Sequence, residues 1–559
     1  MIEQWKKYEA VKRYNSRFLD GDYYSNVKTW YDFYEGDQWN GIDSNNNLPK
    51  PIFNIVKRID DFKVASLTAD KIAVNVETLK KQYLENGEEI NDVINGEIDN
   101  ILEKIKFDTI IRDALTDASI TGDMCMHIIF NPDVQLYKDG NVQGIIEAEL
   151  IDATNVGFAN PNIKDVEKQK WVCLIGRDTV ENLKEEQKAM KGGHDEIQPD
   201  NETNFQVSDY VEDIQGDEDG KALYIYVYEK DKKTGTIKVG KFTQDAVIYE
   251  NVDTGLTHYP IAFENWYTRK NSFHGRGEVE GICPNQVYIN KAMAMMQYHT
   301  MQTAFPLTMI NEKYISTLSN KIGGVLKVKL DETKGEGFGN VIHNLEPVNM
   351  SQHIINITQM SMDYTKDCMG VTDASLGNID PKNTSAIIAV QKSSAIPLEN
   401  IRSNLYNFVE QIVVILIDMM SSKYGMRPVY SKVNGEYIAT MFDFSQLKNI
   451  DTKLNIDIGA GSYYSEIALL QTLDNLLLNE KITTLQYLER IPDALITQKQ
   501  ELINDLKAQE EMAGQQNAQY EQMAQFLETL PPEQQQQIMN LPPEQQEQVI
   551  MQMMGGVQA

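Results

Sequence analysis

Few residue patterns in this chain have the spacing that chemistry requires. The stretch GTIKVGKF (Gly235–Phe242) fills the first seven places of a phosphate-cradling loop. The eighth should be Ser or Thr, whose hydroxyl holds magnesium, and here it is Phe242. Such a loop must also open a helix, whereas this segment alternates like a strand, so a β-hairpin is expected. GEGFG (Gly335–Gly339) resembles a fragment of a dinucleotide loop but lacks the third spacing and a following helix, which leaves a turn. Neither HExxH nor GxSxG occurs, and the 7 histidines have no metal-ligand spacing. His127, inside the apolar run MCMHIIF, is expected to be a satisfied core residue. The acidic insertion VEDIQGDEDGK reads as a solvated loop; it lacks the ligand spacing of an EF-hand and the Glu that would close one. Cys125, Cys173, Cys283 and Cys368 form no CxxC pair, which argues against zinc and suits a reducing compartment. Paired carboxylates are frequent only because the chain is acidic. We therefore expect no catalytic residues, no cofactor, no metal site and no enzymatic activity.

The bulk numbers narrow the partners. The 559 residues are 42% hydrophobic and 24% charged, which is globular. Against 82 acidic residues stand 52 Lys and Arg, for a net charge of -30. Tight nucleic-acid binding relies on cations that displace counterions from phosphate, so this chain should not grip DNA. It can still enclose a duplex, because like charge keeps the duplex mobile. The N-terminal stretch MIEQWKKYEAVKRYNSRF has no apolar signal region, and the longest apolar run, IVVILI (Ile412–Ile417), is too short to span a bilayer. A soluble protein made in a cytosol, without a membrane partner, is expected.

The elements that position these residues follow from periodicity. Residues 2–34 read as helix, ended by the turn signals in FYEGDQWNG. PIFNIVKRIDDFKVASLTA begins a second helix, IAVNVET alternates as a strand, and residues 88–120 look helical. From Met124 to about Phe263 the period is two, with MCMHIIF, GIIEAELI, KWVCLIG, ALYIYVYE and TIKVGKF as short strands. SFHGRGEVEGICPNQVYINKAMAMMQYHTMQTAFP (Ser272–Pro306) then leads from a Gly-punctuated turn into a long helix with no clean apolar stripe. A small segment, Leu307–Pro347, carries a strand pair around GGVLKVKLDETKGEGFGNVIHNLEP, and a second helix runs from about Met350 to Met369. That order makes a helical hairpin with a compact module at its tip. Thr384–Tyr424 is helical except at Pro397, whose ring collides with the carbonyl of Ser393 and should kink the helix. VYSKVNGEYIATMF returns as a hairpin through Asn434-Gly435, and residues 463–510 are helical. After Lys507 no Lys or Arg occurs, and Gln dominates a near-repeat, LPPEQQQQIMN then LPPEQQEQVIM. Each copy suits a short helix that is marginal alone, so the tail is either disordered or bundled with copies from other subunits.

The order of these elements resembles a tailed-bacteriophage portal protein, the ring through which DNA enters and leaves the capsid. The resemblance rests on FYEGDQW with PIFNIVKRIDDFKVASLTADKIAVNV, on DATNVGFANPNIKDVEKQKWVC, on SFHGRGEVEGICPNQVYINKAM, and on CMGVTDASLGNIDPKNTSAIIAVQKSSAIPLENI, which together span roughly residues 15–460. It implies an α+β chain with an α/β wing (1–270 and 426–460), a turn and first stem helix (271–305), a small α/β clip (306–350) and a second stem helix (351–372). A tunnel loop with a long kinked helix (373–425), a mostly helical crown (461–510) and a Gln-rich C-terminal barrel or tail (511–559) would complete it. It further implies a homo-oligomeric ring of about twelve copies at one capsid vertex of the virion, serving double-stranded DNA packaging and ejection. The partners would be the large terminase, which supplies the ATPase, head-tail adaptors, and the major capsid or scaffold protein. Asn378, Asp380, Lys382 and Asn383 would face DNA from the tunnel loop, with Lys382 its only basic residue. Pro397 would mark the helix kink. Met293, Met296, Gln297, Ile354 and Ile357 would pack stem helices of neighbouring subunits, the methionines adapting to shifting contacts and Gln and Asn bonding without charge. Gly275 and Gly277 would serve the tight turn. The alternatives are another virion structural protein of tail or baseplate, or a packaging enzyme.

Overall fold

In the computed structural model the described residues are 23–40, 48–69, 72–78, 90–135, 143–191, 197–199, 220–243, 246–304, 308–310, 342–344, 349–371, 396–433, 436–449, 452–458, 463–479, 481–491, 499, 502–503 and 506–507. They fall into two compact units, residues 1–459 and 460–559. In the first unit, helix α1 (Tyr23–Glu35) and α2 (Ile55–Leu67) precede strand β1 (Ile72–Thr78). Asn54 caps α2 by accepting from the Lys57 amide at 3.0 Å. Helices α3 (Ile90–Lys104) and α4 (Phe107–Thr121) divide the single helix expected over 88–120. The break is Lys106, held at φ 55, so the chain turns sharply without a glycine.

The period-two region forms strands as expected. Strand β2 (Asp123–Gln135) is central in a three-stranded antiparallel sheet, between β3 (Gln143–Leu150) and β9 (Ile261–Asn265). Strands β4 (Val156–Phe158), β5 (Trp171–Thr179), β6 (Lys221–Lys230), β7 (Ile237–Thr243) and β8 (Val247–Asp253) pair in sequence order as a five-stranded antiparallel sheet. The phosphate-loop look-alike is β7, and its Lys241 is buried against Glu186 at 2.6 Å. His127 is 1% exposed, with Nδ1 2.9 Å from Glu149 Oε1 and Nε2 2.8 Å from the Tyr228 hydroxyl, so it is a satisfied core histidine. One helix within this region was not expected from the pattern: α5 (Val180–Lys191), packed on β8. The acidic insertion and the GEGFG turn lie outside the described residues, apart from Gly220 and Lys221.

Beyond the helical hairpin described below, α8 (Glu399–Met419) runs through the main core. The run Ile396–Tyr424, 29 residues with its flanking turns, is long and apolar enough to cross a membrane by composition, so the shortness of IVVILI decides nothing. Burial decides it instead: Ile401, Leu405, Phe408, Val409, Ile412, Val413 and Leu416 are all fully enclosed by protein. The helix ends in a π turn (Met420–Tyr424), and Arg427 then stacks 3.6 Å from the Tyr424 ring centroid. Strands β12 (Met426–Val433) and β13 (Glu436–Asp443) pair with Val433 opposite Glu436, leaving Asn434 and Gly435 between them. Strand β14 (Thr452–Ile458) pairs antiparallel with β1, so the returning chain joins the N-terminal region.

In the second unit, α9 (Tyr463–Leu478) and α10 (Thr484–Arg490) replace the continuous helix expected from 463. Thr483 opens α10 with a reciprocal capping box to Gln486, which explains the break. Leu473, Leu488, Ile491 and Ile503 form a small core there. The Gln-rich tail lies outside the described residues.

Candidate functional site

The helical hairpin is where packing departs most from an ordinary core. Its first helix, α6, spans Glu278–Thr303, within the 271–305 expected for the turn and first stem helix. Pro284 sits in its second turn and removes one backbone bond without ending it. The second helix, α7, spans Gln352–Cys368. Asn285 Nδ2 donates to Thr365 Oγ1 across the pair at 3.1 Å. Beyond the hairpin's free end, β10 (Thr308–Ile310) pairs antiparallel with β11 (Ile342–Asn344), which brings together the two ends of the intervening segment.

The root of α6 is built from buried polar groups. Asp123, at the start of β2, accepts from Asn265 Nδ2 and the Gly275 amide, each at 2.7 Å, and lies 2.6 Å from His274 Nδ1. The His274 ring stacks on Tyr23 at 4.1 Å. Gly275 and Gly277 carry the next few residues over the corner between α4 and β2. A Cβ on Gly275 would lie 2.4 Å from the Gly122 carbonyl oxygen, and one on Gly277 2.5 Å from that of Ser119. Gly277 has φ -77, so close approach of two backbones, rather than a turn angle, is what requires glycine. Glu278 then enters the protein at 3% exposure and meets Lys63 Nζ at 2.6 Å, with Trp266 Nε1 and the Tyr267 hydroxyl also donating to it at 3.1 and 3.2 Å.

The middle of α6 corrects one expectation. Gln286 and Asn290 are fully buried and bond within their own chain rather than between subunits. Gln286 donates to the Phe53 carbonyl at 2.8 Å and accepts from the Ile55 amide at 3.0 Å; Asn290 donates to Gln38 Oε1 at 2.7 Å. With Val279, Ile282, Ile289 and Ala294 also buried, the first two-thirds of α6 belongs to the protomer's interior. The remainder does not: Met295 is 62% and Met301 64% exposed. Met293 and Met296 are half-buried and Gln297 is exposed.

Helix α7 inverts the usual burial. Its two buried residues are Thr358 and Thr365, whose hydroxyls fold back on the carbonyls of Ile354 and Ser361. Ile354, Ile355, Ile357, Met360 and Tyr364 face outward, with Ile357 at 50% and Tyr364 at 60% exposure. Ile357, Met360 and Tyr364 share one side at helical spacing. Within the protomer, the greasy side of this helix has no partner among the described residues.

The two ends of the segment that follows α7 also meet. Gly370, at φ +72, lies so close to Pro397 that a Cβ there would be 2.8 Å from the proline's. Pro397 occupies a single 3-10 turn (Ile396–Leu398), and α8 begins at Glu399 immediately after it. The residues preceding this turn, Ser393 included, lie outside the described residues, as do Asn378, Asp380, Lys382 and Asn383. Among the described residues no group of His, Cys, Asp and Glu has the arrangement of a metal site. Sequence reasoning missed the buried charges at the α6 root, Asp60, Lys63 and Glu278; their only signal was acidic and basic residues inside otherwise amphipathic helices.

A chain of mixed helix and sheet, whose polar clusters are spent on seating a two-helix hairpin with an outward apolar side, is built like a structural component. The sequence profile of the family described as Phage P22-like portal protein matches residues 15–559, nearly the whole chain, and the chain belongs to that family. It is thereby a phage portal protein, a structural head-tail connector of the virion's capsid vertex. No curated protein matches the chain.

Proposed function

We propose that copies of this chain close into a ring of about twelve around a central hole and conduct double-stranded DNA into the capsid and out again. The observation that carries the proposal is the outward apolar side of α7, with Ile354, Ile357 and Tyr364 exposed while threonines are buried. A solvated helix gains nothing from that pattern; a helix covered by a neighbouring copy does. The exposed Met295 and Met301 near the far end of α6 suit the same contact, since thioether chains tolerate sliding surfaces. A net charge of -30 keeps a channel wall from gripping phosphate, so DNA passes without sequence preference.

On this reading α6 and α7 are the stem, residues 306–350 are the clip that meets the large terminase and then the head-tail adaptors, and residues 373–382 project toward DNA. Residues 461–510 form the crown beside the major capsid or scaffold protein, with 511–559 as a Gln-rich barrel or tail. Lys382 is the candidate for passing phosphate contacts. The ATPase is the terminase's, in keeping with a look-alike loop that is strand β7. Negative-stain imaging of the purified protein tests this directly: rings with a central hole are expected. A monodisperse monomer that hydrolyses ATP would overturn it in favour of a packaging enzyme.

A further inference from the structure

One carboxyl at the root of α6 takes no part in the network described above. Asp60, in the middle of α2, is fully buried, and neither of its oxygens has a well-formed hydrogen bond, the Ser119 hydroxyl being the donor that comes near it. It sits where α2, α4 and α6 pack together, with α1 alongside. From α2, Lys63 and Asp61 face it; from α6, Glu278; from α4, Ser119; from α1, Tyr34. None of these neutralises it. Lys63 is committed to Glu278 at 2.6 Å in a pair whose side chains are 3% and 2% exposed. The Ser119 hydroxyl donates to the Thr116 carbonyl at 2.7 Å, and the Tyr34 hydroxyl to Asp61 at 2.8 Å. Two buried carboxyls therefore share one buried ammonium, and a buried carboxylate with no cation of its own and only a hydroxyl already engaged elsewhere beside it is costly for a core to hold.

We propose that Asp60 carries a proton in the folded chain and that its loss loosens the first turns of α6, making the root of the helical hairpin a proton-controlled joint. The proposal concerns the seat of α6 in the protomer and stands whether or not copies close into a ring. Burial, reinforced by the nearby Glu278 and Asp61 carboxylates and opposed by Ser119 and Lys63, pushes Asp60 up to about 7. In an opened state the group returns to an ordinary carboxylate value of about 4. Below both values Asp60 is protonated in both states and contributes no pH dependence. Between them the seated state holds one proton more than the open state, so seating weakens as pH rises. Above about 7 both states have lost the proton, and the dependence levels off with α6 at its loosest.

Hydrogen exchange of the full-length protein, read in peptides covering Glu278–Gln286 and corrected for the intrinsic pH dependence of exchange, tests this. In the wild type the local opening constant should rise by up to about tenfold per pH unit between pH 5 and 7, then flatten. Asp60→Asn should remove most of that rise. Asp60→Ala serves if the amide proves intolerable in the apolar seat. Asp61→Asn, which removes one of the charges beside Asp60 but leaves Asp60 buried, should keep the rise and move it to slightly lower pH. Asp117 on α4, also pushed up to about 7 by burial and by Asp152, titrates in the same window, so the difference between wild type and Asp60 variants is the quantity read. A rise in the Asp60 variants equal to that of the wild type overturns the proposal, as does a wild-type opening constant that stays level from pH 5 to 7.

Discussion

Replacing Ile357 by Asp separates a protomer contact from a ring contact. Ile357 is 50% exposed, so the protomer already buries half of it, and a covering neighbour would take up the rest. Completing the burial of an Ile is worth about 1 kcal/mol at half the usual full-burial value. Truncation to Ala should thus weaken each subunit contact about fivefold. Asp does more, because it adds an unpaired carboxylate that the contact would have to desolvate, a further several kcal/mol. Every contact around the ring carries the change, so the effect on closure multiplies with the number of copies. The protomer should lose only about 1 kcal/mol, for the half of the side chain that it already buries. Sedimentation velocity over a concentration series, with thermal unfolding of the dissociated protein, measures both quantities. Lys188→Asp, an exposed charge reversal on α5, controls for a general effect of charge. Rings of Ile357→Asp that form at wild-type concentrations would show that the outward side of α7 is not the contact. A large loss of protomer stability would show that it was already covered.

Other substitutions test the seat of the hairpin. Gly277→Ala should cost about 3 kcal/mol, because the new Cβ meets two backbone carbonyls of α4 that cannot swing aside; Gly235→Ala, at φ +74 with open space around it, should cost only about 1–2 kcal/mol of backbone strain. Denaturant titration ranks the two, and equal costs would remove the close-approach explanation. Lys63→Met leaves Glu278 buried without its cation and should cost about 3–5 kcal/mol. Adding Glu278→Gln, which keeps an acceptor for Trp266 or Tyr267, should return part of that loss, and a strictly additive double variant would refute the coupling. Gly370→Ala combines a φ of +72 with a Cβ contact to Pro397 and should destabilise by about 2 kcal/mol or more in thermal unfolding; a neutral result would mean that the two chain ends are not pressed together there.

What sequence could disclose here depended on whether a residue's partner was close along the chain. Strands announced themselves because their period is local, and Val433 opposite Glu436 follows from one Asn-Gly dipeptide. Helix α5 escaped because Gln187, buried at 2% and bonded to the Val247 carbonyl, interrupts the apolar face that should have signalled it. Gly275 and Gly277 looked like turn glycines, but the closest atoms that demand them belong to residues 119–122, some 150 positions earlier. In RIDDFK the two aspartates look alike; one step of helix turns Asp60 inward and leaves Asp61 exposed. Gln286 and Asn290 are polar enough to bond across a subunit boundary, and nothing in their identity says that their partners are Phe53, Ile55 and Gln38 of the same chain.

The same limit explains why α6 and α7 look ambiguous as sequence yet differ in structure. A helix buried on one side by its own chain and on another by a different chain has two apolar requirements at different angles, which smear the single stripe a surface helix shows. In α6 the first requirement dominates: its inner side is completed by amides seated on fixed backbone groups, which locks its rotation. Helix α7 meets α6 through the Asn285–Thr365 hydrogen bond, and its larger apolar side chains point away. Threonine inside and isoleucine outside is the opposite of what folding a lone protomer selects. The selection must act on the assembled state, and α7 should therefore gain far more protection from exchange on assembly than α6 does. Hydrogen exchange of dissociated and assembled protein, compared over Gln352–Cys368 and Glu278–Asn290, decides it: equal gains in the two helices would mean that the outward side of α7 stays in solvent.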